Sequence, residues 1–259
     1  MSEVEWKEPV VGFEFEPEEV VVTEEQQADK LLACGLDDSV FEGYVDASFY
    51  IALGIRAGAN SGISAEGNVN MMTSLIQHRR VRKGESLTVR GSILNIQNVP
   101  RGQVVETDVW FEDKDGERAI SAPRKSLRPN SDKAAGRGAG ERPAPVIENV
   151  AELRRLNTFS LTPERVKHYS SEGNSIHYEM ESANNAGFRA PIIGGGMGVH
   201  YLIHALWQEH MPESFDLSIF FRRPIFWDDQ FYVAADPWRA IALLRDDKVL
   251  TEARINQLS

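Results

Sequence analysis

Three residues in the stretch SSEGNSIH, residues 170–177, have side chains that could hold water and move protons. Glu172 and His177 supply a carboxylate and an imidazole, the groups that most often transfer protons near neutral pH. Their spacing of five does not stack them on one helical face, but a loop could turn both toward one water molecule. Asn174 lies between them, and its carboxamide can donate and accept hydrogen bonds, so it could position the loop or the water. The pattern fits a water-handling pair, and taken alone it is more typical of an ordinary polar loop.

A glycine triplet follows in APIIGGGMGVHYL, residues 190–202, just before an apolar helical run. Glycine lets a ligand approach the backbone closely. The N–H groups at a helix start can stabilise an oxygen that becomes negative during a reaction. The triplet is also typical of a tight turn where a helix enters a sheet. It lacks the Gly-Lys-Ser/Thr ending of a phosphate-binding loop.

The composition limits the class of protein. The chain has 259 residues, 42% hydrophobic and 26% charged, which is typical of a globular protein. A net charge of −11 argues against nucleic acid or an anionic membrane as a partner. The one cysteine, Cys34, excludes an intramolecular disulfide, so we expect a reducing, cytoplasmic setting. The acidic N-terminus is not a signal peptide, and no apolar run reaches the roughly 20 residues that span a bilayer.

Two halves with the same order of elements are separated by a compositional break. Residues 128–150 are rich in Gly, Ala, Pro and charge, and predict a flexible connector between domains 1–127 and 151–259. Each half has a short helix, an apolar helix and a run of strands, and the first helix is bounded by Thr23 and Gly35. In the second half, we predict the three strands FDLSIFFRRPIF, QFYVAADPWRAI and VLTEARINQL. This order predicts an α+β protein in which two antiparallel sheets each wrap a central helix.

The second half, from about residue 155 to 259, resembles the MaoC-like, or hydratase-2, family of (R)-specific enoyl-CoA hydratases. The matching positions are Ser170, Asn174, Ile176, His177, Ala186-Gly187-Phe188, Pro191-Ile192, Gly196-Met197 and the stretch FFRRPIFWDDQFYV. The first half resembles the degenerate, non-catalytic domain that family members of this length carry. The resemblance implies a double hot-dog fold with one active site in the second half.

The resemblance also implies a mechanism, which is syn addition or removal of water across C2–C3 of an acyl thioester. Glu172 and His177 would hold the water and exchange protons, Asn174 would position the loop, and the N–H of Gly196 would bind the thioester oxygen. Glu172 stands where the family has Asp, which moves the carboxylate outward by roughly 1.5 Å. Gly195 replaces the family's usual histidine, and we predict that it contacts the substrate. The acid, the imidazole and their spacing are kept, which favours retained hydration chemistry.

Other residues have a functional and a structural interpretation. His204 could face the substrate or be a core histidine, and Arg222, Arg223 and the run QHRRVRK (residues 77–83) could bind the phosphates of coenzyme A or form a solvated face. His200 and His204 have a spacing that can bind metal, but no carboxylate or cysteine accompanies them, so we predict no metal site. Aromatic residues in WDDQFYV and DPWRAI fit a subunit interface or the core, and we predict a homodimer.

The leading hypothesis is a hydro-lyase that acts on an acyl-CoA or acyl-carrier thioester and needs no cofactor. Two alternatives remain open. A hot-dog thioesterase would use Glu172 to activate water against the carbonyl, and a non-catalytic acyl-thioester-binding subunit would show no turnover at all.

Overall fold

Helix α1, Glu24–Cys34, begins and ends where the sequence predicts. Thr23 and Gln26 form a capping box, in which each side chain bonds to the other residue's backbone N–H. Gly35 ends the helix at φ 74°, a left-handed conformation that glycine adopts without steric cost. The local sequence therefore determines both ends of this helix.

Replacing Thr23 with alanine is expected to lower the free energy of unfolding by about 1 kcal/mol, because the N–H of Gln26 loses its acceptor. Urea denaturation followed by circular dichroism measures this change. Thr23→Ser keeps the hydroxyl and should stay close to the wild-type value. Equal stability of the alanine variant and the wild type would contradict the assigned cap.

The computed structural model describes residues 6–129, 143–170, 174–236 and 238–259. The first half contains α2, Phe49–Asn60, and six strands. These are β1 (Glu18–Val21), β2 (Val69–Gln77), β3 (Ser86–Val99), β4 (Gly102–Glu112), β5 (Arg118–Ser121) and β6 (Arg124–Pro129). The long strands β3 and β4 form a hairpin against which α2 packs.

The second half contains three helices and five strands. In chain order they are β7 (Arg154–Ser160), α3 (Pro163–Ser170), α4 (Met180–Asn185), α5 (Gly195–His210), β8 (Phe215–Phe221), β9 (Gln230–Asp236), β10 (Ala240–Arg245) and β11 (Lys248–Leu258). The stretch QFYVAADPWRAI was predicted as one strand, and this is wrong: it forms β9 and β10, which pair antiparallel. β9 ends at Asp236, and the next residue in the sequence is a proline, which has no N–H to donate to a sheet ladder.

The strands of the two halves pair antiparallel within one sheet, in the order β1-β3-β4-β5-β2-β8-β11-β10-β9-β7, with β6 against β2 and β4. The halves join where β2 pairs with β8, from Met72 opposite Phe220 to Gln77 opposite Phe215. The predicted α+β class is confirmed. The two predicted sheets are continuous, because pairing β2 with β8 satisfies edge N–H and C=O groups that each half would otherwise leave open.

Helix α5 lies in the core, and all its residues from Met197 to Trp207 are buried. A helix that is apolar on every side must be enclosed on every side. Here β9 and β10 cover one side, while α1, α2 and the short 3₁₀ helix Asp38–Phe41 cover another. At 16 residues it is the longest helix of the described ranges, none of which holds a helix long and apolar enough to cross a membrane.

The described part of the predicted connector from residue 143 onward packs against the sheet. Residues 130–142 lie outside the described residues, whereas Ile147 is buried against β9 and β10 together with Val146 and Val150. The buried carboxylate of Glu252 on β11 accepts hydrogen bonds from the N–H groups of Val146 and Ile147, at 3.1 and 3.0 Å. These apolar residues allow this part to pack, which the overall composition of the segment did not indicate.

Candidate active site

The start of α5 is a helix end without a side-chain cap. Gly194 is the N-cap residue, with φ −65° and ψ 150°, and it has no side chain that could accept from the first turn. The first N–H groups of a helix have no acceptor within the helix. They therefore remain available to a ligand, and the helix dipole adds partial positive charge at this point.

The three glycines of this turn face different neighbours. A Cβ on Gly194 would lie 3.6 Å from Nε2 of His177, and a Cβ on Gly196 would lie 3.7 Å from the hydroxyl of Tyr169. A Cβ on Gly195 would come within 3.0 Å of the Phe221 ring. Gly195 is therefore a packing glycine, whereas Gly194 and Gly196 lie beside polar groups.

His177 ends the short 3₁₀ helix Ser175–His177 and is half-buried. Its Nδ1 lies 2.8 Å from the carbonyl oxygen of Ile192. A carbonyl oxygen only accepts, so Nδ1 carries the proton, and Nε2, which faces Gly194, is the unprotonated nitrogen of the neutral ring. Burial lowers the pKa of His177 below its ordinary value, against the smaller opposing effect of the Ile192 carbonyl. The ring is thus held neutral with a basic nitrogen at the start of α5.

The loop that carries His177 is fixed by two hydrogen bonds. The Asn174 side-chain oxygen accepts from the N–H of Ile176 at 3.2 Å, and the N–H of Ile192 donates to the carbonyl of Ile176 at 3.3 Å. Asn174 therefore holds the turn from which His177 projects. Glu172, the predicted carboxylate, lies outside the described residues, as do its two neighbours at 171 and 173.

Arg222 is occupied by protein partners. Its Nε donates to the Glu252 carboxylate at 2.7 Å, and its Nη atoms donate to the carbonyls of Pro143 and Ala144 at 2.9 and 2.8 Å. Arg223 donates to the carbonyl of Val249. The hydrogen bonds of the two arginines therefore go to the connector and β11.

The basic run of residues 77–83 is also committed to intramolecular contacts. Arg79 pairs with Glu85 and Asp113, and Lys83 pairs with Asp38. Arg80 donates to the carbonyl of Pro212 in the second half. These ion pairs and hydrogen bonds favour the structural interpretation of the run.

His204 is buried, and its ring packs edge-on against Phe41, with centroids 6.0 Å apart. Its Nε2 has no hydrogen-bond partner among the described residues, and burial lowers its pKa. Gly196 and His204 are eight residues apart on α5 and so share a face of the helix. That face is turned toward the first half, and His204 lies two turns from the site.

Sequence reasoning missed three residues beside the site. The Tyr169 hydroxyl is hydrogen-bonded to Nε2 of His200 at 2.8 Å. Nδ1 of His200 in turn lies 2.7 Å from Oδ2 of Asp46. The spacing of four between Gly196, His200 and His204 could have indicated this, because it places both histidines on the same face of the helix as the glycine. Asp46 gave no signal, because it lies 154 positions from His200. The described residues contain no group of three His, Cys, Asp or Glu side chains that could hold a metal ion.

Comparison with family models and with curated proteins finds no match. Solved structures do match over nearly the whole chain, and they define the class of architecture. A Mycobacterium tuberculosis protein described as having a double hotdog fold has a TM-score of 0.63 and 13% identity, covering 95% of each chain. The chain thus has the double hot-dog fold that the resemblance implied.

Within this fold, similar structures include proteins described as MaoC-like dehydratases. HtdX from Mycobacterium tuberculosis is 17% identical, with a TM-score of 0.74, over 92% of this chain and 97% of that one. A MaoC-like dehydratase from Phytophthora capsici is 17% identical, with a TM-score of 0.71, over 95% and 96% of the two chains. Peroxisomal multifunctional enzyme type 2 from Drosophila melanogaster is 14% identical, with a TM-score of 0.71, and 48% of its chain is covered.

Proposed function

We propose that this protein is a hydro-lyase that adds water to an enoyl thioester, or removes it from a 3-hydroxyacyl thioester. The observation that carries the proposal is the unprotonated Nε2 of His177 beside Gly194, at the uncapped start of α5. A base and a cluster of N–H donors at one place are the two parts that this reaction needs. The similarity in fold to MaoC-like dehydratases agrees with it.

The proposed reaction is acid-base chemistry on one water molecule. The water is held by Glu172 and His177, its oxygen bonds to C3 of the enoyl group, and one of its protons passes to this pair. A proton is delivered to C2 on the same face, so the net change is addition of H and OH. The N–H of Gly196 donates to the thioester oxygen, on which negative charge develops before C2 is protonated.

The substrate is proposed to be a CoA or acyl-carrier thioester that gives the (R)-3-hydroxy product. These steps use only acid-base groups and N–H donors, so we propose that no cofactor takes part. The homodimer predicted from the sequence stays a prediction.

A panel of crotonyl-, longer-chain, branched and aromatic enoyl-CoAs tests the proposal. We expect at least one to lose its enoyl absorbance with the wild type and to lose it far more slowly with Glu172→Ala. Glu181→Ala, an exposed glutamate on α4, is the matched control and should keep wild-type activity. No turnover with any substrate would refute the hydro-lyase.

The same panel distinguishes the hydro-lyase from the alternative, a thioesterase. The alternative is considered because a Lactobacillus plantarum protein described as an oleoyl thioesterase has a similar structure, with a TM-score of 0.59 and 10% identity. A thioesterase releases free CoA, which a thiol reagent detects, whereas hydration leaves the thioester intact. Release of CoA at the rate of enoyl loss would favour the thioesterase. Acyl-CoA binding without turnover would favour the non-catalytic subunit.

The pH dependence follows from the lowered pKa of His177. The neutral ring is the active form, so kcat/KM should stay level through neutral pH and fall only below the ordinary histidine pKa of about 6.5. Below the His177 pKa it should fall about tenfold per pH unit. Initial rates from pH 4.5 to 8 measure this, with stability checked at each pH. A fall that begins above pH 7 would contradict a buried neutral histidine.

A further inference from the structure

A buried chain of hydrogen bonds reaches the start of α5 from the first half of the protein. Asp46 and His200 are 0% and 1% exposed, and Nδ1 of His200 lies 2.7 Å from Oδ2 of Asp46. Nε2 of His200 lies 2.8 Å from the hydroxyl of Tyr169. That hydroxyl is the group 3.7 Å from the Cβ position of Gly196, so the chain ends at the proposed site.

The directions of these hydrogen bonds follow from the partners. Ser48 donates its hydroxyl proton to Oδ1 of Asp46 at 2.7 Å, and its Oγ also lies 2.6 Å from Nδ1 of His200. Both neighbours of Nδ1 therefore only accept from it, which places the ring proton there. In the neutral ring, Nε2 accepts, and Tyr169 donates its hydroxyl proton to it. The free lone pairs of the Tyr169 oxygen then point away from His200.

The position of Tyr169 is fixed at other points as well. Nζ of Lys30 donates to the Tyr169 carbonyl at 2.9 Å and lies 5.4 Å from the centre of its ring. Burial raises the pKa of Tyr169 well above its ordinary value, so the phenol keeps its proton. Apart from the neighbouring residues and backbone of α5 itself, the hydroxyl is the one group of the described residues within 4 Å of the Cβ position of Gly196. A fixed acceptor therefore lies beside that glycine.

We propose that Tyr169 is a further catalytic residue, which accepts a hydrogen bond from the reacting water or the 3-hydroxyl group, and that His200 and Asp46 position it. The inference rests on the proposed function for the identity of the ligand. It gives the first half a part in the reaction, since Asp46 comes from that half. Donation to His200 makes the Tyr169 oxygen a better acceptor, because hydrogen bonds in a chain polarise one another.

The first measurement is the rate of hydration. Tyr169→Phe removes only the hydroxyl, and we expect kcat to fall about tenfold or more, with KM for the enoyl-CoA changed far less, since enoyl-CoA carries no hydroxyl. Tyr201→Phe is the matched control: Tyr201 is a buried tyrosine whose hydroxyl donates to the Cys34 carbonyl at 2.9 Å. Equal loss of kcat in both variants would show a structural role and overturn the proposal.

The second measurement does not depend on turnover. Calorimetry gives the Kd of (R)-3-hydroxybutyryl-CoA and of butyryl-CoA, which differ by the hydroxyl group, in a His177→Ala background that slows reaction of the ligand. We expect Tyr169→Phe to reduce the preference for the hydroxylated ligand by about tenfold, and Tyr201→Phe to leave it unchanged. His200→Gln, which leaves Tyr169 in place but loosens it, should reduce the preference in part and add little to Tyr169→Phe.

The outcomes separate the two proposals. An inactive wild type, with a hydroxyl preference that Tyr169→Phe removes, would refute the hydro-lyase and support the contact to Tyr169. An active wild type, with kcat and ligand preference unchanged in Tyr169→Phe, would overturn the contact and leave the hydro-lyase standing. Failure to bind either ligand would overturn both.

Discussion

Replacing His177 with alanine is expected to lower kcat/KM for hydration by about 10²- to 10⁴-fold, the usual contribution of a positioned acid-base group. The physical reason is the protonation state of the His177 imidazole. Its Nδ1 proton is donated to the Ile192 carbonyl, so Nε2 is the basic nitrogen, and burial keeps the ring neutral. The loss should appear mainly in kcat, because the proton transfer occurs only as the reaction proceeds.

Steady-state kinetics with the best enoyl-CoA of the panel measures this loss. His210→Gln is the matched control, because His210 ends the same helix at the opposite end from Gly194. It should keep kcat within about twofold of the wild type, since a proton-transfer contribution is confined to groups within reach of the substrate. His177→Ala with wild-type kcat/KM would remove the imidazole from the mechanism, whatever the activity of Glu172 variants.

Replacing Glu252 with alanine is expected to lower the free energy of unfolding by about 3–5 kcal/mol, the cost of breaking a buried ion pair by removing one partner. The Glu252 side chain is 1% exposed and receives Arg222 together with the N–H groups of Val146 and Ile147. Without the carboxylate, two N–H groups lose their acceptor, and the Arg222 guanidinium keeps only the carbonyls of Pro143 and Ala144. The segment that covers β9 and β10 loses its anchor at the same time.

Urea denaturation followed by tryptophan fluorescence measures this effect. Glu106→Ala is the matched control, since Glu106 forms an exposed pair with Lys125 and should cost at most about 1 kcal/mol. Glu252→Gln keeps the shape of the side chain, and we expect an intermediate loss. A Glu252→Ala variant as stable as Glu106→Ala would show that the connector does not depend on this carboxylate.

Much of the local structure could be predicted from the sequence, because it depends on neighbours in the chain. The cap at Thr23, the stop at Gly35 and the apolar helix α5 follow from side chains within a few positions. The turn that carries His177 is similar: Asn174 caps it two residues away, as its place in the motif indicates. The double hot-dog fold was predicted through the resemblance of the second half, and it is confirmed.

Sequence patterns are least informative where a side chain's partner lies far away along the chain. Arg222 follows a strand and could bind a phosphate, yet Glu252 and two carbonyls occupy it. Residues 143–150 have the composition of a linker, but a few apolar side chains and one buried carboxylate hold them to the sheet. Composition averages over a segment, whereas packing depends on the few residues that meet a partner.

The sequence by itself determined the helices, most strands and the candidate pair of Glu172 and His177, because hydrophobic periodicity and motif spacing act over short range. Only the tertiary structure decided that β2 pairs with β8 and that Asp46 supports His200 behind the glycine turn. Residues 154 positions apart meet only when α5 packs against the first half. Such contacts depend on how the whole core is filled, and neither residue carries a local mark of its partner.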